Sequence, residues 1–311
     1  MPPGILTSPL TFTPLFQERV WGGRRLAELF EKKLPTNKPI GESWEIVDRA
    51  EAQSVVSNGP LKGKTLHELW TQDRQEIFGE SRALPRFPLL IKLLDAENKL
   101  SLQVHPPDSV ATELGGEAKT EFWYVAHAEP GAELFVGFKN NVTRDGFAAT
   151  VKAGKVADLV HRVPVKTGDA MFLPAGRFHG IGAGCVLVEI QQNSDTTYRV
   201  FDWERKDRQL HLEQALRCID FDDVAPGLVR PEGELLVRDE LFEIQKWRLN
   251  EPREAVPRGQ FAIVCCLTGA VRCADVDLAP GDFALVPAHL QDRQVHPRAG
   301  DASLLRVTIP K

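Results

Sequence analysis

The sequence predicts an all-β chain made of two consecutive β units. Three observations carry that reading. Proline (22) and glycine (24) punctuate the 311 residues between short apolar runs, the spacing of strands and tight turns. Helical periodicity is confined to a few short stretches. An eight-residue frame also occurs twice, GDAMFLPA from Gly168 to Ala175 and GDFALVPA from Gly281 to Ala288. Each copy reads as a turn, an apolar strand and a second turn, so two related β units stand in tandem.

In chain order, Arg24–Lys33 is the first helix, with Leu26, Leu29 and Phe30 on one face. GESWEIVD (41–48) follows as a strand. Thr65–Phe78 opens on a capping box, Thr65 with Glu68, and continues with Leu66, Leu69 and Trp70 as a helical stripe. Strands are expected at 87–96, 99–105, 120–128, 133–138, 170–175 and 185–192. Helices are expected around 108–114, 143–160 and Leu210–Ile219. The acidic, Pro- and Gly-rich stretch 221–234 reads as a linker between a first domain, 1–220, and a C-terminal β domain, 235–311. Further strands fall near 235–249, 261–267, 283–287 and 303–309.

A net charge of −5 and a pI near 6.0 give no basic surface for nucleic acid. No apolar run approaches the roughly 18 residues of a membrane span, and MPPGILTSPLTFTP lacks the layout of a signal peptide. The five cysteines are odd in number and form no CxxC pair. They read as reduced core residues, so a cytoplasmic setting is expected.

The chemistry begins at LSLQVHPPD (100–108). Residues two apart on a strand share a face, so Gln103 and His105 project together while Leu102 and Val104 pack behind. On the 120–128 strand, Lys119, Glu121 and Trp123 share a face. His179 follows the turn at Pro174–Gly176. Gln103, His105, Glu121 and His179 have metal-ligand chemistry. Left without partners they would bury polar groups in apolar strands at a cost in free energy. The other histidines stand alone and read as ordinary core or surface residues. Two imidazoles and one carboxylate suit zinc, or iron in a two-His-one-carboxylate set. One carboxylate leaves the ion with net positive charge. The absence of thiolates favours an open, catalytic site over a structural one.

The pattern Gly168-(x5)-Pro174-x-Gly176-(x2)-His179 resembles the second motif of the cupin superfamily of small β-barrels. Ala183 stands where that motif usually has Asn, and Gln-x-His replaces the usual His-x-His of the first motif. The second copy carries Asp292 at the place of His179, so any metal chemistry belongs to the first.

WGG (21–23), GESWEI (41–46), IKLLDAENKLSLQVHP (91–106), KTEFWYV (119–125), GDAMFLPAGRFHGIG (168–182) and EIQQNSDTTYRVFDWER (189–205) together resemble the type I mannose-6-phosphate isomerases in their short bacterial form. The resemblance implies a cupin barrel holding one zinc ion and interconversion of mannose 6-phosphate and fructose 6-phosphate. It puts the ligands at Gln103, His105, Glu121 and His179 and the catalytic arginine at Arg199. Lys92, Ser101 and Lys119 then fall in the sugar-phosphate pocket.

Lys92 interrupts the apolar run LLIKLL, an odd place for a charge. Glu42 and Trp44 share a strand face and read as pocket lining. Arg199 is a poor base because it stays protonated; it suits enediolate stabilisation or a phosphate contact, against the plainer reading of an ion pair with Asp195 or Asp202. The base is Lys119 or a zinc-bound water. The partner expected is a small sugar phosphate, with the chain acting as monomer or homodimer. An Fe(II) oxygenase and a non-enzymatic sugar-binding cupin remain as alternatives on the same residues.

Overall fold

The structure is a computed structural model that describes residues 6–35, 37–298 and 300–310. The chain is all-β with short helices. A six-stranded antiparallel sheet runs in the order Leu15–Gly23, Ile40–Ile46, Leu89–Ala96, Cys185–Gln192, Glu121–Ala128, Ala170–Leu173. A five-stranded antiparallel sheet runs Tyr198–Phe201, Leu102–Val104, His179–Ile181, Glu133–Phe138, Val160–Pro164. The two face each other. Leu94, Trp123, Val125 and Leu187 of the first pack with Leu134, Val136 and Ile181 of the second. These facing sheets are the cupin wall expected from the motif around His179.

Both faces of the six-stranded sheet are covered, which explains why its central strands read as unbroken apolar runs. Leu89, Ile91, Leu93, Phe122, Tyr124, Val188 and Ile190 point away from the wall. They join one core with Ile244, Ile263, Leu285, Leu305 and Val307 of a third sheet. That sheet is ordered Leu235–Arg238, Glu243–Leu249, Ala302–Thr308, Ala262–Thr268, Phe283–Val286. A four-stranded sheet packs on its other side around Trp247, Leu249, Val264, Val286 and Leu304. Leu102 and Val104 pack outward against Phe147 of the helix Arg144–Lys152 and Ala215 of the helix Leu212–Cys218.

The repeated frame is the same turn twice. Gly168 and Gly281 both have positive φ, 98° and 82°, where a Cβ would be strained. Gly168 N–H donates to Val125 O at 2.8 Å and Val125 N–H to Asp169 O at 2.8 Å. Gly281 N–H donates to Cys266 O at 2.9 Å and Cys266 N–H to Asp282 O at 3.1 Å. Register carries the match further. Leu173 pairs with Glu121 in the first unit, and Val286 pairs with Ala262 in the second. Ala262 therefore occupies the second unit's counterpart of the carboxylate position.

Several boundaries differ from expectation. The 65–78 helix has its capping box but breaks at Asp73 into Leu66–Gln72 and Arg74–Phe78. The 143–160 stretch ends as a helix at Lys152, and Val160–Pro164 is a strand. Leu15–Gly23, His179–Ile181 and Tyr198–Phe201 are additional strands. Residues 221–234 lie against the first unit. Phe221 stacks on Phe138 with centroids 5.7 Å apart, and Val229 N–H donates to Ala170 O at 2.8 Å. All five cysteines are free and buried. Among the described residues no helix is long and apolar enough to cross a membrane.

Candidate active site

Three neighbouring strands of the five-stranded sheet set one wall of the site. The Leu102–Val104 strand lies between His179–Ile181 and Tyr198–Phe201, with Gln103 opposite both His179 and Arg199. Glu121 comes from the facing sheet. One ligand atom each from His105, Glu121 and His179 falls within 4.8 Å of the other two, and all three residues are buried. Nε2 of His105 lies 3.3 Å from Oε1 of Glu121, and Nε2 of His179 lies 3.7 Å from Oε2. The Nδ1 atoms face away, toward Thr196 O at 2.8 Å and Arg177 O at 2.9 Å. Those carbonyls fix the tautomer with Nδ1 protonated and Nε2 as a lone pair.

The donors suit a cation better than they suit each other. Among the described residues, Nε2 of His105 and Oε2 of Glu121 are buried without a hydrogen-bond partner, which costs free energy unless something satisfies both. Gln103 stands beside this group. Its Oε1 accepts from Ser101 Oγ at 2.9 Å, and its Nε2 faces His179 Nε2 at 3.5 Å. A half-turn of that amide places the oxygen among the metal-facing donors.

The electrostatics keep these donors in ligand form. Burial, and then the neighbouring His105, pushes the His179 imidazole down to about 3. Burial and the Lys119 charge lower His105. Burial opposes the Glu121 carboxylate, but the Lys119 ammonium at 2.7 Å outweighs it and holds its pKa well below the ordinary range.

A cavity of about 370 Å³ opens from this centre, within the range of small-ligand sites. Arg19, Glu42, Lys92, Ser101, Gln103, Lys119, Glu121 and Arg199 line it. Lys92 is held between Glu42 Oε2 at 3.7 Å and Glu189 Oε1 at 3.3 Å. Arg199 donates to Ser101 Oγ at 3.2 Å and Gln209 O at 3.1 Å. The plainer reading of Arg199 fails, because Asp202 is taken by Arg205 at 2.7 Å and by Arg208. Among the described residues Arg199 makes no salt bridge. Trp44 does not line the cavity. It stands behind Glu42, donating to its Oε2 at 2.6 Å, with the Lys92 ammonium 5.2 Å from its ring centroid.

Three charged lining residues were not singled out from the sequence: Arg19, Glu189 and Arg208. Glu189 carried a usable signal, a lone charge inside CVLVEIQQ. Its carboxyl is pushed up by burial and by Glu121, and its Oε2 accepts from Trp123 Nε1 at 2.9 Å.

These shifts predict acid lability. An unfolded imidazole titrates near 6.5, while His179 in the fold waits until about 3. Glu42 is held at about 2 against an ordinary 4.5, because Lys92 and Arg19 overcome the burial that opposes its charge. Between those limits the unfolded chain binds more protons, so stability rises with pH and is lost as pH falls. The urea midpoint of metal-free protein should drop steadily from about pH 6.5 to pH 3. A flat profile would contradict neutral buried imidazoles.

Residues 10–134 match the family model for the catalytic domain of type I phosphomannose isomerase. The probable mannose-6-phosphate isomerase GmuF of Bacillus subtilis is 37% identical over 303 residues, 91% of this chain and 95% of that protein. Mannose-6-phosphate isomerase ManA of the same organism is 36% identical over 301 residues, 91% and 94% of the two chains. The crystal structure of the Bacillus subtilis mannose 6-phosphate isomerase superposes with a TM-score of 0.86 at 33% identity, covering 97% of this chain and 100% of that one. Likeness at this level, running through both β units and not only the residues around the buried histidines, means that the chain belongs to the type I phosphomannose isomerase family.

Proposed function

We propose that this protein is a zinc-dependent isomerase that interconverts mannose 6-phosphate and fructose 6-phosphate through a cis-enediol. The convergence of His105, Glu121 and His179 beside a cavity that Glu121 and several basic side chains line carries the reading, and the family supports it. His105, Glu121, His179 and the amide oxygen of Gln103 would hold the ion. A bound zinc ion supplies Lewis acidity toward the sugar oxygens.

The remaining work falls to side chains of the cavity. Arg199, opposite Gln103 in register, has a guanidinium uncommitted to any carboxylate and stabilises charge that develops on the carbonyl oxygen. Lys119, 2.7 Å from Glu121 Oε1, carries the proton between C2 and C1, a step that requires its neutral amine to accept the proton at C2 and return it at C1. Lys92, Ser101 and Glu42 face the sugar hydroxyls. Arg208, with 21% of its side chain exposed, meets the phosphate from the more open side of the cavity. Free, buried cysteines fit a cytoplasmic enzyme, acting as monomer or homodimer on a small sugar phosphate.

Metal removal tests the reading. Dialysis against a chelator should abolish conversion of mannose 6-phosphate in a coupled assay, and one equivalent of zinc should restore it. Metal-replete protein that converts no mannose 6-phosphate would defeat the proposal. The iron-dependent oxygenase alternative requires oxygen uptake, and none is expected.

A further inference from the structure

The two imidazoles of the metal centre are held in different ways. His179 is oriented locally, by the carbonyl of Arg177 two residues earlier. His105 is oriented by Thr196 O, 91 residues away. The His105 backbone is already fixed, because its own carbonyl accepts from Gly176 N–H at 2.9 Å. What remains for residue 196 to set is the rotation of the ring.

Residues 193–197 are held by residue 117 on one side and, on the other, by Asp48, Arg49, Arg86 and Phe87. Thr196 Oγ1 accepts from Glu117 N–H at 3.0 Å, and Ser194 Oγ donates to Glu117 O at 3.0 Å. The Glu117 carboxylate accepts from Arg49 at 2.8 Å and from Arg86. The same two guanidinium groups reach Asn193 O, at 3.1 Å and 2.7 Å. Asn193 Nδ2 donates to Asp48 O and Phe87 O, both at 2.7 Å. The fit is close on the inner side as well. A Cβ on Gly116 would lie 2.7 Å from Thr196 Cγ2 and 2.8 Å from the Tyr198 hydroxyl, so only glycine lets the two segments approach. Glu117 stands four residues before the ligand Glu121. Movement at this junction therefore reaches two ligands together.

We propose that Thr196, backed by Glu117, is a positioning residue for the metal ligand His105. Its hydroxyl locks the loop whose carbonyl sets the ring, and it thereby sets metal affinity. The inference rests on the metal reading above. Outer partners of metal-bound histidine are worth about 10- to 100-fold in metal affinity.

Thr196→Val keeps the shape and the contact with Gly116 but removes the acceptor for Glu117 N–H. Thr196→Ser keeps the acceptor. Zinc affinity is measured by competition with a chromophoric chelator, and ligand geometry by the absorption bands of the cobalt(II)-substituted protein. T196V should bind zinc about 10-fold more weakly with shifted cobalt bands, and T196S should restore both. Should T196V fail to fold, Glu117→Gln is measured in the same way and should weaken zinc binding about threefold, within the range of a part-exposed ion pair. Variant affinity within error of wild type, or a T196S variant as weak as T196V, overturns the inference. Wild-type protein that takes up no zinc overturns the metal reading itself, and this inference with it.

Discussion

Glu121→Gln should reduce kcat/KM for mannose 6-phosphate by about 10³-fold or more and strip the protein of zinc at ordinary metal concentrations. The substitution barely changes shape, so the effect isolates charge. Glu121 is the single carboxylate of the ligand set, between His105 at 3.3 Å and His179 at 3.7 Å. With glutamine there, four neutral donors face a divalent ion in a buried site, where an uncompensated charge is most costly. A second loss accompanies the first. Lys119 is 5% exposed and its ammonium lies 2.7 Å from Glu121 Oε1, so the variant also removes the charge that anchors the proposed proton carrier. Metal content by elemental analysis and kcat/KM by coupled assay should fall together. Full zinc occupancy with lost activity would separate the two effects and place Glu121 in the chemistry rather than in the binding of metal.

The candidate metal site was legible because alternation along a strand is a local property. Gln103 and His105 must share a face whatever the rest of the chain does, and the turn before His179 has its own signature. What strands do beside one another is not local. Nothing in the sequence says that Gln103 lies opposite Arg199, or that Lys92 lies opposite Glu189, so the ion pairs that define the cavity were out of reach. Trp44 illustrates the limit. It shares a face with Glu42, yet it sits behind the carboxylate rather than on the cavity wall. The edge strand Leu15–Gly23 was missed because it is half exposed and its apolar pattern is weak.

The GDAMFLPA and GDFALVPA frames predicted a tandem relation, and both form the same turn. The core between them could not be read, because a strand buried on both faces looks alike whatever covers it. We propose that 1–220 and 235–311 are two domains sharing that core, with the second acting as a cover, since Ala262 and Asp292 replace Glu121 and His179 there.

Lys92→Met should destabilise the fold by about 3–5 kcal/mol and change how stability depends on pH. Lys92 is 3% exposed and sits in a cross-strand row, paired with Trp44 on one side and with Glu189 on the other. Burial opposes its charge, but Glu42 and Glu189 outweigh burial and raise its pKa. Methionine matches the length of the side chain without the charge. Glu42 then keeps Arg19, at 3.0 Å, and the Trp44 indole N–H, at 2.6 Å, and Glu189 loses its salt bridge. Both carboxyls must rise: Glu189, already above its ordinary value, rises further, and once the folded-state pKa of Glu42 passes its unfolded value the sign of its linkage reverses as well. The folded state then binds more protons than the unfolded chain, so that carboxyl's contribution to stability grows as pH falls. Urea midpoints between pH 7 and pH 5 read this directly. Wild type should lose stability over that interval, whereas K92M should lose less, because the raised carboxyls offset the buried histidines. Adding Glu189→Gln to K92M should recover part of the loss at pH 7, because it removes one of the two stranded charges. A K92M protein with the wild-type midpoint and the wild-type pH slope would mean that water entering the cavity, rather than the lysine, neutralises these carboxylates.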